Sequence, residues 1–373
     1  MVTGTFHNPN WYLSHMAPLT RSGVHEVALV VDEPQPLLGG VRFVCPPKWI
    51  VRLLGRAGAK ALWMLFAGLH YRPDLYMGYH LAPAACTALV VARLLGRPAC
   101  YQMTGGPAGI IGGGYGAVDS VEGSLGRPSR LIEAVAIRVV RQFELVVVRG
   151  NKAREFLAGY GIDRSVVTIT GSVNNHSLPP EDPRDLDLIF VGRLSPVKQV
   201  DQVVQIVYSL QQVLPDVRAA IVGDGPLMAD LRGHTEKLGL TRNIEFFGKR
   251  KDVEALLSRA KVFVLTSKSE GLSIAMAEAM SVGVVPVVAD VGELGDLVQN
   301  GANGYLVEPS NIAEFARKVA SLLQDEVAWA RSSRKARETA QTRCGLDAVT
   351  EQWRCCLRDV VIRASGDGTY GKR

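Results

Sequence analysis

The sequence predicts an α/β protein made of two doubly wound parallel-sheet domains, and three observations predict it. Short apolar runs rich in Val and Ile alternate with longer amphipathic stretches along most of the chain, the pattern of parallel strands buried on both faces under helices. The chain has 373 residues, 47% hydrophobic and 21% charged, which suits two ordinary cores and excludes disorder for most of its length. Between two such series lies the proline-rich acidic stretch from Leu178 to Asp185, with the composition of a linker. The expected domains are therefore 1–180 and 181–345, with helices near 345–364 packing back on the first.

Taken in order, the first half offers strands at Glu26–Val31, Val41–Cys45, Asp74–Met77, Ala99–Met103, Leu145–Val148 and Val166–Thr170. The second offers Leu188–Val191, Val217–Val222, Ile244–Phe247, Val262–Leu265 and Val285–Ala289. From Ala313 onward the pattern is helical, ending in a polar tail after Ala364. The apolar run Leu75–Ala92 carries His80, Pro83, two tyrosines and Thr87, so it reads as a strand and a buried helix and not as a membrane span. The uncharged run Pro98–Val118 holds seven glycines and two prolines and reads as a loop. No basic-then-apolar leader opens the sequence, and the six cysteines show no metal-ligand spacing; they are expected to be reduced and mostly structural, in a cytoplasmic protein.

In doubly wound sheets ligands lie beyond the carboxyl ends of strands, so the cleft between two facing domains is the default site. Strand Leu188–Val191 runs into Gly192-Arg193-Leu194-Ser195-Pro196-Val197-Lys198. That turn puts two cations before a helix N-terminus, a suitable anion site; two solvated loop cations are the plainer alternative. Val222-Gly223-Asp224-Gly225-Pro226 opens the next strand end through glycines, where backbone approaches a ligand closely. After Leu265 come Glu270, Gly271, Leu272, Ser273, Ile274 and, on a helix starting near Ser273, Glu278 among apolar neighbours. A carboxylate so placed requires a partner: ribose hydroxyls, or else an arginine of the fold.

These segments together resemble the retaining glycosyltransferases of family 4, which have the GT-B fold of two facing Rossmann-like domains. The match runs in order through the Gly-Arg…Lys turn, Gly-Asp-Gly-Pro at 223–226, Phe-Phe-Gly at 246–248, the Glu270 and Glu278 pair, Pro286-Val-Val-Ala, and Asn300-Gly-x-Asn-Gly-Tyr-Leu-Val. The resemblance implies that Arg193 and Lys198 hold a donor diphosphate, that Glu278 holds the ribose, and that Glu270 with the amides of Gly271 to Ile274 holds the transferred sugar. It also implies a role beside that sugar for His80, which follows a strand, whereas a capping or core histidine is the plainer alternative. The sequence departs from the family at three places: His7-Asn8-Pro9-Asn10-Trp11 replaces a Gly-Gly loop, Gln199 stands where glycine often follows the lysine, and Asp296 stands where glutamate is common.

Other segments suggest other chemistry. Gly112, Gly114 and Ala117 fit a dinucleotide fingerprint in spacing but lack the strand that feeds one, so 104–116 is expected to be a loop near the acceptor. Asp185-Leu-Asp187 imitates a metal-binding carboxylate pair and is expected to be solvated charge, with no metal in the site. The net charge of +6 divides unevenly: residues 1–180 hold 17 Lys/Arg and 10 Asp/Glu, whereas 181–373 hold 25 and 26. Within the basic half, Lys48, Arg52, Arg56 and Lys60 recur every fourth residue, with Trp49, Ile50, Leu53, Leu54, Trp63, Leu65 and Phe66 between them. Arg127, Arg130, Arg138 and Arg141 add to the charge. On one continuous helix the four-residue spacing makes a cationic stripe beside an apolar face, the pattern of a helix lying on an anionic membrane surface; a sheet-covering helix with a solvated edge is the alternative. No nucleic-acid motif is present.

The expected activity is transfer of a hexose from a nucleotide diphosphate sugar, UDP first and GDP next by resemblance, to a saccharide or lipid-linked acceptor hydroxyl. A sugar-nucleotide epimerase and a non-catalytic donor-binding protein are the alternatives.

Overall fold

The computed structural model describes residues 1–6, 9–113, 128–173 and 184–364. They form two compact units, one of Met1–Ser172 with the segment from Leu346 on, the other of Val173–Gly345. The residues around 180, Arg127, Gly114–Ala117, and His7 and Asn8 of the first loop lie outside the described residues.

The first unit runs β1 (Val2–Thr3), α1 (Pro9–Arg21), β2 (Val27–Val30), β3 (Val41–Val44), α2 (Lys48–Tyr71), β4 (Tyr76–Tyr79), α3 (Cys86–Leu94), β5 (Ala99–Met103), α4 (Arg130–Val140), β6 (Leu145–Val148), α5 (Asn151–Gly159) and β7 (Val166–Thr168). Its seven strands are parallel, in the order β3-β2-β1-β4-β5-β6-β7. Every residue of β4, β5 and β6 is buried, as continuous apolar runs such as Leu145–Val148 require, because helices cover both faces. Ala99–Met103 is thus a strand inside the run that reads as loop, and the irregular chain begins only after Met103.

The second unit runs β8 (Leu186–Val191), α6 (Val200–Gln211), β9 (Ala219–Val222), α7 (Met228–Lys237), β10 (Ile244–Gly248), α8 (Val253–Ser258), β11 (Ala260–Leu265), α9 (Ile274–Ser281), β12 (Val285–Ala289), β13 (Tyr305–Val307), α10 (Ile312–Gln324) and α11 (Glu326–Cys344). Its six parallel strands are ordered β10-β9-β8-β11-β12-β13. Phe190 and Phe263, fully buried on adjacent β8 and β11, each contribute on the order of 2–3 kcal/mol by leaving water. The last helix, α12 (Leu346–Ala364), returns to the first unit. There Val349, Trp353 and Cys356 pack with Tyr12, Met16 and Leu19 of α1 in one buried cluster.

Helix α2 differs from the continuous stripe expected of it. Gly55 adopts φ +69°, ψ 170° inside it, a backbone conformation essentially confined to glycine. The break at Gly55 stops the four-residue steps at Arg52. Lys60 faces inward, paired with Asp32 at 2.9 Å and donating to the Gly4 carbonyl at 3.3 Å. The Asp185-Leu-Asp187 expectation is refined: both carboxylates are partly exposed, and each has a partner in the fold. Arg259 grips Asp185 through two bonds of 2.8 and 2.7 Å, and Asp187 accepts the Arg218 amide at 2.9 Å. Hydrogen bonding to Arg259 holds the Asp185 carboxyl below its ordinary range. All six cysteines are free; three are buried, whereas Cys355 is exposed and has no packing role.

Candidate functional site

In each sheet the first strand and the fourth are neighbours, and the chain leaves them toward opposite edges. Such a reversal opens a crevice at the carboxyl ends of the two strands. In the second unit it lies between β8 and β11, and the predicted residues gather there.

The turn after β8 carries exposed Arg193 and partly buried Lys198. Lys198 Nζ donates to Glu270 Oε1 at 2.5 Å, and Ser267 Oγ donates to the same oxygen at 2.6 Å. The Glu270 side chain is 9% exposed, and its Oε2 accepts no hydrogen bond among the described residues. Backbone ties fix this geometry. Lys268 N donates to Val197 O at 2.8 Å, and Thr266 Oγ1 bonds the carbonyls of Lys198 and Gln199. Gln199 holds φ +46° at the start of α6, the left-handed conformation that explains why glycine suits this position.

Ser273 caps α9, its Oγ accepting the Met276 amide at 3.2 Å. The preceding amides of Gly271, Leu272, Ser273 and Ile274 donate to no protein group among the described residues. Four open donors and a lysine ammonium belong to the segments that follow two adjacent strands, residue types able to hold a phosphate or stabilise developing negative charge. Gly223 completes the floor. Its φ is +138°, and a Cβ there would fall 1.8 Å from the Gly192 carbonyl oxygen, so only glycine lets the β9 turn seat under the β8 turn.

Glu278 lies one turn into α9. Its carboxyl has neither hydrogen-bond nor ion-pair partner among the described residues, so the arginine-paired alternative is not realised. Burial, helped by Glu254, pushes its pKa up to about 7. An unpaired, desolvated carboxyl is an unsatisfied acceptor awaiting donors.

His80 belongs to the first unit, at the carboxyl end of β4, which neighbours β1. It is exposed, with φ +62° and ψ 148°, a region costing a non-glycine residue about 1–3 kcal/mol. Its Nδ1 is hydrogen-bonded to Thr104 Oγ1 at 3.2 Å, and its ring lies parallel to Trp11 with centroids 6.3 Å apart. It is neither a helix cap through its side chain nor a core residue. Trp11 in turn meets Phe6, Tyr79 and His15; burial and nearby Arg149 hold His15 well below its usual pKa.

Sequence reasoning names Arg193, Lys198, Gly223, Glu270, Gly271 to Ile274, and Glu278, and all fall at this one end of the second sheet. It misses Ser267, Thr104 and Gly292. Ser267 stands only three residues before its partner Glu270, inside the segment that the sequence singles out, whereas Thr104 stands 24 positions from His80. Gly292 (φ +53°) admits no Cβ, which would sit 1.9 Å from the Glu270 carbonyl oxygen. Among the described residues no group of three His, Cys, Asp or Glu is placed to hold a metal ion, and no helix is long and apolar enough to cross a membrane.

Residues 174–343 match the family model described as glycosyl transferases group 1. The chain is 28% identical over 191 residues to the poly(ribitol-phosphate) alpha-N-acetylglucosaminyltransferase of Staphylococcus aureus, covering 51% of this chain and 38% of that protein. It is 33% identical over 141 residues to the Escherichia coli UDP-Gal:alpha-D-GlcNAc-diphosphoundecaprenol alpha-1,3-galactosyltransferase, covering 37% and 36%. The chain thus spans under half the length of these curated relatives. The structure of Anabaena HepE in complex with UDP and glucose superposes with a TM-score of 0.76 at 18% identity, covering 96% of this chain and 99% of that one. The fold is GT-B.

Proposed function

With residues 174–343 belonging to the glycosyl transferases group 1 family, we propose that the chain transfers a hexose from a nucleotide diphosphate sugar to an acceptor hydroxyl with retention of configuration, in polysaccharide or glycolipid synthesis. A UDP-sugar is the first donor to test and a GDP-sugar the next. The observation that carries this reading is the Lys198–Glu270–Ser267 cluster at the same strand end as the four open amides of 271–274. The two relatives add support by name, one using UDP-Gal and a diphosphoundecaprenol-linked acceptor, the other glycosylating poly(ribitol phosphate).

In this reading the anomeric C–O bond breaks as negative charge builds on the leaving diphosphate. Arg193, Lys198 and the amides of Gly271 to Ile274 stabilise that charge in place of a metal ion. Glu278 accepts the ribose hydroxyls, and Glu270, steadied through Oε1, turns Oε2 toward the sugar hydroxyls. The acceptor oxygen bonds the anomeric carbon, and its proton leaves with the nucleoside diphosphate. His80, hydrogen-bonded to Thr104, is the first unit's candidate for a part in transfer. A lipid-linked acceptor would place the reaction at the cytoplasmic face of a membrane.

The test is turnover of UDP-sugars and GDP-sugars with acceptor, with and without chelator. Turnover that survives chelation and falls by about 10²-fold or more in both Arg193→Ala and Lys198→Ala supports the reading. Abolition by chelator overturns its metal-free part. Conversion of donor alone into an isomer makes the chain an epimerase.

A further inference from the structure

We propose that the outer face of α2, continued on α4, docks the first unit onto an anionic lipid bilayer. The break at Gly55 leaves a short basic segment standing clear of the rest. Ile50 is buried and seats it, while Trp49 is 65% exposed, Leu53 73% and Leu54 47%. Lys48, Arg52 and Arg56 are exposed, and none forms an ion pair among the described residues. Trp49 and Leu53 stand four residues apart, as do Lys48 and Arg52, so apolar and cationic rows run side by side up to the break, and Arg56 is exposed just past it.

Neither α2 nor α3 contains an acidic residue. The one in α4 is Glu133, whose oxygens are taken by Tyr160 Oη and the Gly112 amide, both at 2.7 Å. The α4 helix repeats the pattern: Leu131 is 75% exposed and Val135 54%, with Arg130 and Arg138 exposed beside them. Buried residues of α2, α3 and α4 share one core cluster, so the three helices form a single layer over one face of the first sheet.

Charge complementarity selects the occupant. A soluble surface normally scatters its large apolar side chains among charges of both signs. Here an exposed tryptophan and leucines lie among unpaired cations. An anionic bilayer takes both, headgroups against the cations and acyl boundary around the rings and branched chains. A nucleic acid would leave Trp49, Leu53 and Leu54 in water. The segment begins directly after β3, at the carboxyl edge of the sheet, the edge that also carries His80. Binding is read without turnover, so its failure and the failure of the transfer reaction are separate results.

The experiment is cosedimentation of the full chain with vesicles of equimolar phosphatidylglycerol and phosphatidylcholine, or of phosphatidylcholine alone, at low salt. The wild type is expected to bind the anionic vesicles only. Arg52→Gln with Arg56→Gln should weaken binding about 25-fold, near five-fold per cation, and Trp49→Ser with Leu53→Ser at least about tenfold. Brominated lipid should quench tryptophan emission of the wild type, an arm that needs no variant. Equal binding to neutral vesicles, unchanged binding by either double variant with the fold intact, or absence of quenching overturns the proposal. So does a concentration-dependent dimer that the Trp49→Ser, Leu53→Ser variant abolishes, which would make the face a contact between copies.

Discussion

Replacing Glu278 by Gln tests the donor pocket through stability as well as binding. The folded carboxyl titrates near 7 against an ordinary 4.5, its shift caused first by burial and then by Glu254. Below about pH 4.5 both folded and unfolded chains hold the proton, and the group adds no pH dependence. Between 4.5 and 7 the unfolded chain releases a proton that the fold retains, so stability falls as pH rises. At 1.36 kcal/mol per pH unit the loss reaches about 3 kcal/mol by pH 8. Glutamine keeps the shape and cannot ionise. Its advantage over the wild type should therefore grow by about 2.5 kcal/mol from pH 5 to pH 8, because part of the loss is already present at pH 5, and that is roughly 5–10 °C for a unit of this size. Calorimetry at both pH values, following the transition that donor shifts, reads that difference of differences, in which other titrating groups cancel. Ribose hydroxyls donate best to an ionised acceptor, so wild-type affinity for the nucleotide sugar that the turnover test identifies should rise several-fold from pH 6 to pH 8 and the variant's should stay flat. An equal melting difference at pH 5 and pH 8 would refute the reasoning, because it would mean that the carboxyl is solvated.

Three further substitutions probe the machinery. Ser267→Ala removes one of two hydrogen bonds to Glu270 Oε1; kcat should fall about tenfold with little change in donor KM, and a pure KM effect in steady-state kinetics would refute a positioning role. Gly292→Ala forces a Cβ to within 1.9 Å of the Glu270 carbonyl oxygen at positive φ; stability should drop by about 2–4 kcal/mol and donor affinity with it, measured by urea unfolding and calorimetric titration. His80→Gly relaxes the φ +62° backbone and should raise stability by about 1 kcal/mol while turnover falls; parallel loss of both would show that the conformation is not strained.

How much of this is legible in the sequence depends on burial and on distance along the chain. Ala99–Met103, Leu145–Val148 and Val285–Ala289 match their apolar runs residue for residue because strands buried on both faces leave continuous apolar sequence. The β4 strand lies two residues later than its apolar run suggests: Asp74 is exposed and contacts Arg97 at 3.8 Å, whereas Tyr79 is buried among Phe6 and Trp11. The strands β1 and β13 have two and three residues, too few to show a period. The α2 stripe misleads because four-residue spacing assumes an unbroken helix, and one glycine conformation turns Lys60 inward. At the candidate site the residue types are readable, but their pairing is not. Lys198 and Glu270 stand 72 positions apart and meet only because β8 lies beside β11.

The same strand order, reversing between the first and fourth strands, recurs in both units, yet the two reversals are furnished differently. In the second unit the crevice is lined by charge and open amides, which suit an anion whose charge grows during reaction. In the first it carries an aromatic cluster and a histidine held in a costly backbone conformation by Thr104 and its strand neighbours. A strained residue persists when surrounding structure over-determines it, and Phe6, Trp11 and Tyr79 supply that constraint without adding net charge. Apart from Arg149 beside His15, the basic excess of the first half therefore does not come from this crevice. It comes substantially from helices α2, α3 and α4, where apart from Lys60 and Arg93 the cations form no ion pair among the described residues, and that placement is what makes the excess informative about a surface and uninformative about the donor.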